Sequence, residues 1–197
     1  DLGIYELVTV RCTGNFGRGK MIRTEDYLPF RDDSLIVKES SSLRVEGDLP
    51  VLDGATALLP VYSAFANALY PPDSCGWDGS SFTAGSAVQY TNTTGAWKAI
   101  ADGTADIIFV AAPSREQAAY AEERGMQLVM IPIGREAFVF LVNADNPVDG
   151  LTQDQVKGIY AGRYRNWKEL GGADRPINPL TRKTGSGSQS ALLRFLG

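Results

Sequence analysis

From residue 47 onward, short apolar runs alternate with segments of helical periodicity. That alternation restricts the chain to an α/β fold built on a mostly parallel sheet with helices on both faces. Pro50–Leu52 reads as the first strand, followed by a helix from Leu58 to Tyr70. Leu58, Tyr62, Phe65 and Leu69 fall at helical spacing and predict its buried face. Pro60 sits in the first turn, where a missing N–H costs little, and Pro71-Pro72 stop the helix. The Gly-, Ser- and Asp-rich stretch 73–85 reads as a surface excursion, and Ala87–Tyr90 as the next strand. Thr93-Thr94-Gly95 opens a helix carrying Trp97, Ile100 and Ala101. The apolar run 106–112 has the pattern of a strand covered on both faces. Ser114 with Gln117, and Thr152 with Gln155, are capping boxes that predict two more helices. Strands are expected over 126–133, 137–143 and 177–180, and a last helix follows Gly185-Ser186-Gly187-Ser188.

Residues 1–46 read differently, as an N-terminal extension with one or two strands. Gly14-Asn-Phe-Gly-Arg-Gly-Lys20 has the glycines and lysine of a phosphate loop. Met21, however, stands where Ser or Thr must hold magnesium, so an exposed hairpin loop is expected. The chain begins at Asp1 and stops two to three turns into its last helix, which reads as a trimmed form of a longer chain. We expect an extension over 1–46, a first lobe over 47–134 and a truncated second lobe over 135–197.

Composition removes several chemistries. The 197 residues include no histidine, so there is no imidazole base or ligand. Cys12 and Cys75 are too few for a four-cysteine zinc site; they pair or stay as thiols. No cofactor is expected. A net charge of −4 gives no electrostatic reason to expect nucleic acid as a partner. No apolar run approaches the roughly 20 residues of a membrane span.

What remains is a repeated pairing of hydroxyl residues with glycine at helix starts: Gly54-Ala55-Thr56, Thr93-Thr94-Gly95 and Gly185-Ser186-Gly187-Ser188. A helix start presents unpaired N–H groups and partial positive charge, and Ser and Thr add hydroxyl donors. In a parallel sheet such starts collect at the carboxyl edge of the strands, where ligands bind. Taken singly, each is an ordinary N-cap. Arg182 adds a forked cation suited to oxyanions. Trp97 and Trp167 read as packing residues, Glu122-Glu123-Arg124 as a solvated helix end, and Arg135-Glu136 as an ion pair.

Three segments carry a resemblance. Asp53-Gly-Ala-Thr-Ala-Leu-Leu-Pro-Val-Tyr62, Gly158-Ile-Tyr-Ala-Gly-Arg-Tyr-Arg-Asn-Trp167-Lys-Glu-Leu-Gly-Gly172 and Arg182-Lys-Thr-Gly-Ser-Gly-Ser-Gln-Ser190 stand in family order. Together they resemble PstS-like phosphate-binding proteins, the extracytoplasmic receptors of phosphate ABC importers. The resemblance covers about 47–197. It implies a type 2 periplasmic-binding-protein fold, with two parallel or mixed-sheet lobes, a ligand cleft and a second lobe left incomplete here. It further implies that Thr56, Ala57, Thr93, Arg182, Ser186, Gly187 and Ser188 hold phosphate or a related oxyanion without metal. The importer's membrane subunits would be its partners, and no catalysis is expected. Ala111 departs from the pattern, standing where the family usually has an Asp that accepts the proton of monohydrogen phosphate. Two other readings compete. One is a cell-surface interaction or sensor module that kept the fold and lost tight binding. The other is an enzyme with Ser186 or Ser188 as nucleophile, for which the chain offers no histidine base and no GxSxG elbow.

Overall fold

The computed structural model describes residues 23–135 and 137–197. The expected strand at residues 4–10, the loop 14–20, Cys12 and Glu136 lie outside the described residues. Contacts divide the chain into two units. One takes in 23–135 and 183–194, and the other 137–182 and 195–197. Residues 183–194 thus group with the sheet-bearing stretch rather than with the 137–182 segment that precedes them. Local bonds account for this: the Thr94 hydroxyl and, more weakly, the Gln117 amide donate to the Gly185 carbonyl, at 2.9 and 3.5 Å.

The larger unit is built around strand β1 (Leu52–Gly54). Helix α1 (Leu59–Leu69) follows it, then helix α2 (Asn92–Ala101), strand β2 (Ile107–Phe109) and helix α3 (Arg115–Glu123). β1 and β2 pair in parallel, with Leu52 opposite Ile107 and Gly54 opposite Phe109. On the other side of β1, Leu52 bridges Val88, also in parallel. There the Leu52 N–H donates to Ala87 O at 2.8 Å and the Gln89 N–H to Leu52 O at 2.7 Å. β1 is therefore central. The chain leaves it through α1 to one side, then passes through α2 to the other. That reversal of strand order is where parallel α/β sheets open a crevice.

Sequence pattern explains most of these elements. A 3-10 turn, Thr56–Leu58, precedes α1 and carries the chain off β1. The buried face of α1 is Leu59, Tyr62, Ser63 and Ala66. Phe65, expected inside, is 44% exposed and lies against Phe109. Both predicted capping boxes form, at Ser114/Gln117 and Thr152/Gln155. The core gathers Leu28, Leu52, Leu59, Tyr62, Ala66, Tyr70, Phe82, Ala87 and Val88. Leu28 belongs to the expected extension, whose described part, 23–46, has a 3-10 turn at Thr24–Tyr27 and no strand. This stretch is tied to α1 through Phe30 N–H to Asn67 Oδ1 (3.0 Å) and Val45 N–H to Leu69 O (2.9 Å).

Other expectations are corrected. Residues 126–133 and 137–143 form no strand, and Val129 and Leu141 are each 84% exposed. An apolar run becomes a strand only when a neighbour supplies its ladder, and no described segment pairs with either. β2 is shorter than the run 106–112, and Ile107 is exposed rather than covered. Arg124 is not merely solvated. Its Nε donates to Asp102 at 2.8 Å and its guanidinium lies 3.5 Å from the Tyr120 ring centroid. Lys98 first, then Tyr120 and Arg124, hold the Asp102 carboxyl below its ordinary range.

The smaller unit contains helix α4 (Gln153–Tyr160), with Val156 and Ile159 buried. In place of the strand expected at 177–180, Asn166 bridges Pro176 in antiparallel fashion. The Trp167 N–H donates to Arg175 O and the Ile177 N–H to Arg165 O.

Tyr62 offers a first test. It is fully buried and stacks on Phe109 with ring centroids 5.4 Å apart. Its hydroxyl meets no hydrogen-bond partner among the described residues. Burial, with Asp53's charge second, pushes this phenol well above the usual tyrosine range. An unsatisfied buried hydroxyl costs about 1–3 kcal/mol. Tyr62→Phe should therefore raise stability by about 1 kcal/mol, read as a higher urea midpoint at unchanged slope; a lower midpoint would show that the hydroxyl is satisfied.

Candidate functional site

The carboxyl end of β1 turns sharply into the start of α1. Ala55 N–H donates to Phe109 O at 2.9 Å, and Leu58 N–H closes the turn onto Ala55 O. Thr56 and Ala57 stand on this turn, both exposed. A Cβ on Gly54 would lie 2.6 Å from the Phe109 carbonyl oxygen, so glycine is what lets β1 and β2 close here.

Asp53, one residue earlier, is 1% exposed. Its carboxylate accepts from Gly54 N–H at 2.7 Å, from Thr91 N–H at 2.9 Å and from the Thr91 hydroxyl. The end of the 87–90 segment is thereby fixed beside the end of β1. Asn92 follows with φ +62°, a left-handed conformation that Asn tolerates better than most residues. Its side-chain oxygen accepts from Thr94 N–H at 3.2 Å and, more weakly, from Gly95 N–H at 3.5 Å, capping α2. Tyr90 reaches back so that its hydroxyl lies 2.9 Å from Thr56 Oγ1.

The start of helix α5 (Gly187–Leu196) meets the start of α2. A Cβ on Gly187 would lie 3.2 Å from Thr93 Oγ1. Ser186 caps α5 by accepting from Gln189 N–H at 3.2 Å. Thr56, Ala57, Thr93, Ser186, Gly187 and Ser188 therefore all belong to the larger unit. Successive contacts link Thr56 to Tyr90, and Thr93 to Gly187. Arg182 belongs to the other unit. Ala111 lies two residues past the end of β2, with no carboxylate at its position.

Chemically, this edge carries hydroxyl groups and helix-start N–H groups, a set that favours anions. Among the described residues no group of three or more His, Cys, Asp or Glu side chains could hold a metal. Sequence reasoning passed over Asp53 and Tyr90 as functional positions. The signal for Asp53 was a lone carboxylate beside glycine at the end of an apolar run. For Tyr90 it was a phenol closing a strand.

Residues 51–197 match the PBP superfamily domain. The chain belongs to the PBP superfamily. Its fold is that of the type 2 periplasmic-binding-protein class, and the sequence resemblance stands on the same stretch. Among curated proteins, this PBP-superfamily chain is similar to the phosphate-binding protein PstS of Bacillus subtilis, 37% identical over 54 residues. That match covers 27% of this chain and 18% of the relative. It is also similar to the phosphate-binding protein PstS of Borreliella burgdorferi, 31% identical over 61 residues, covering 31% of this chain and 22% of the relative. Among solved structures it resembles that of a phosphate ABC transporter substrate-binding protein with bound phosphate from Clostridium perfringens. The TM-score is 0.54 at 24% identity, covering 76% of this chain and 56% of that one. That likeness shows the fold. The PBP-superfamily chain thus spans about a fifth of the curated relatives it matches and about half of the solved one. Among the described residues no helix is long and apolar enough to cross a membrane.

Proposed function

We propose that this chain is the ligand-holding part of an extracytoplasmic solute-binding protein that takes phosphate or a related oxyanion for an ABC importer. The observation that carries the reading is the meeting of helix starts at one sheet edge: Thr56 on the turn after β1, Thr93 at the start of α2, and Ser186-Gly187 at the start of α5. Hydroxyl and backbone N–H donors of this kind suit a multiply charged oxyanion. The similarity to proteins named for phosphate binding supports the same ligand class. In this reading Thr56, Ala57, Thr93, Ser186, Gly187 and Ser188, all of the larger unit, donate to the anion. Residues 47–134 form the first lobe, and the chain enters the second near Arg135. The protein catalyses nothing.

Calorimetry on the exhaustively dialysed chain tests this with phosphate, sulfate and arsenate. Binding of at least one ion is expected. Because a hydrogen bond to a charged group contributes about 1.5–3 kcal/mol, Thr56→Val should weaken binding about tenfold or more. Ala111 favours the second reading, an interaction or sensor module, because a protonated oxyanion meets no carboxylate acceptor at that position. Absence of binding by all three ions would support that reading and overturn the first.

A further inference from the structure

We propose that Tyr90 is a positioning residue for the oxyanion site, holding the Thr56 hydroxyl so that its proton points at the ligand. This rests on the oxyanion reading above. Two hydroxyl oxygens 2.9 Å apart share one hydrogen bond, and either can donate it. The direction decides what Thr56 presents to the crevice. If Thr56 donates to Tyr90, an oxygen lone pair faces the anion and repels it. If Tyr90 donates to Thr56, the single Thr56 proton is left for the ligand.

Two features select the second direction. A phenol O–H is a stronger donor than an aliphatic hydroxyl, because the ring shares the charge left on its oxygen. The surroundings also differ. The Tyr90 ring packs against the core cluster, whereas Thr56 is exposed on its turn. The phenol is thus fixed by packing, and the threonine rotor takes its orientation from it. The Asp53 carboxylate reinforces this by gripping Thr91, the next residue along, through N–H and hydroxyl. An O–H that accepts one hydrogen bond donates the next more strongly, so a Tyr90–Thr56–anion chain binds better than Thr56 alone.

The arrangement bears on Ala111. With no carboxylate at that position, the orientation of each hydroxyl donor weighs more in setting affinity. Tyr90 would do this for Thr56 without itself touching the ligand.

A double-mutant cycle on the full chain tests the proposal, with phosphate as titrant and Kd from calorimetry. Tyr90→Phe keeps the ring and removes only the hydroxyl. It should weaken phosphate binding about three- to tenfold while the melting temperature of the ligand-free protein stays within a few degrees. Thr56→Val is near-isosteric and should weaken binding about tenfold or more. Adding Tyr90→Phe to Thr56→Val should then change Kd by less than twofold, because the phenol has lost the group it orients. Thr56→Ser, which retains a hydroxyl, should keep the Tyr90→Phe penalty. Equal penalties from Tyr90→Phe with and without the Thr56 hydroxyl would overturn the proposal, as would no penalty at all. If Tyr90→Phe does not fold, the Thr56 pair decides: Thr56→Ser binding no better than Thr56→Val sinks the idea. A wild-type chain that binds no oxyanion overturns the functional reading itself, which is a different result from a binding chain that ignores Tyr90.

Discussion

Asp53→Ala is expected to cost about 2–4 kcal/mol of stability, read from urea unfolding. The carboxylate accepts three hydrogen bonds, one from Gly54 and two from Thr91, which lies 38 positions further along the sequence than Asp53. Truncating it leaves the buried Gly54 N–H without its acceptor, and an unsatisfied buried donor costs about 1–3 kcal/mol. The Thr91 groups are nearer solvent and recover part of their loss through water, which holds the total below a simple sum. Asp53→Asn keeps the shape and one acceptor oxygen but turns an NH₂ toward donors, so about half the cost is expected. A loss under 0.5 kcal/mol in Asp53→Ala would show that the 87–91 segment is held beside β1 by its Leu52 bonds alone. In the oxyanion reading the same variant also loses affinity, because Tyr90 sits on the segment that comes loose.

Gly54→Ala is expected to cost about 3 kcal/mol through overpacking. The added methyl would lie 2.6 Å from Phe109 O and 2.8 Å from Tyr62 Cε1. One of these obstacles is backbone, held by the Ala55 N–H bond and by the β1–β2 register, so it yields only if the strands part. The other is a fully buried ring of the core, stacked on Phe109. Gly54→Ala/Tyr62→Ala separates the two contacts: if the ring is the main obstacle, the Gly54→Ala penalty should largely vanish in the Tyr62→Ala background. A Gly54→Ala protein with the wild-type urea midpoint would mean that β1 and β2 are looser than their hydrogen bonds imply.

What could be read from the sequence was local. Ser114 with Gln117 and Thr152 with Gln155 place helix starts through bonds spanning three residues, and both appear as expected. The PBP-superfamily identity was also legible, because the three resembling segments carry it in order. What failed depended on partners distant in sequence. The stretches 126–133 and 137–143 have strand composition, but a strand exists only beside another. Phe65 was misplaced because which side of α1 is buried, here Leu59, Tyr62, Ser63 and Ala66, is set by what packs against the helix and not by spacing alone. Asp53 was given no role of its own from the sequence, because its donors on Thr91 lie 38 residues further along. Tyr90 looked like an ordinary strand residue until the α1 turn brought Thr56 to it.

The bond from Thr94 to Gly185 joins positions 91 residues apart. Synthesis at about 5–20 residues per second means that α2 emerges some 5–20 s before its partner. During that interval the start of α2 relies on Asn92 alone for its cap, and the neighbouring hydroxyls face water. Closing so long a loop is slow but adds little to the entropic cost, since that cost grows only with the logarithm of length. The donor cluster is therefore assembled after the β1–β2 pair that supports it, and a nascent chain has that pair before it has the α2–α5 junction.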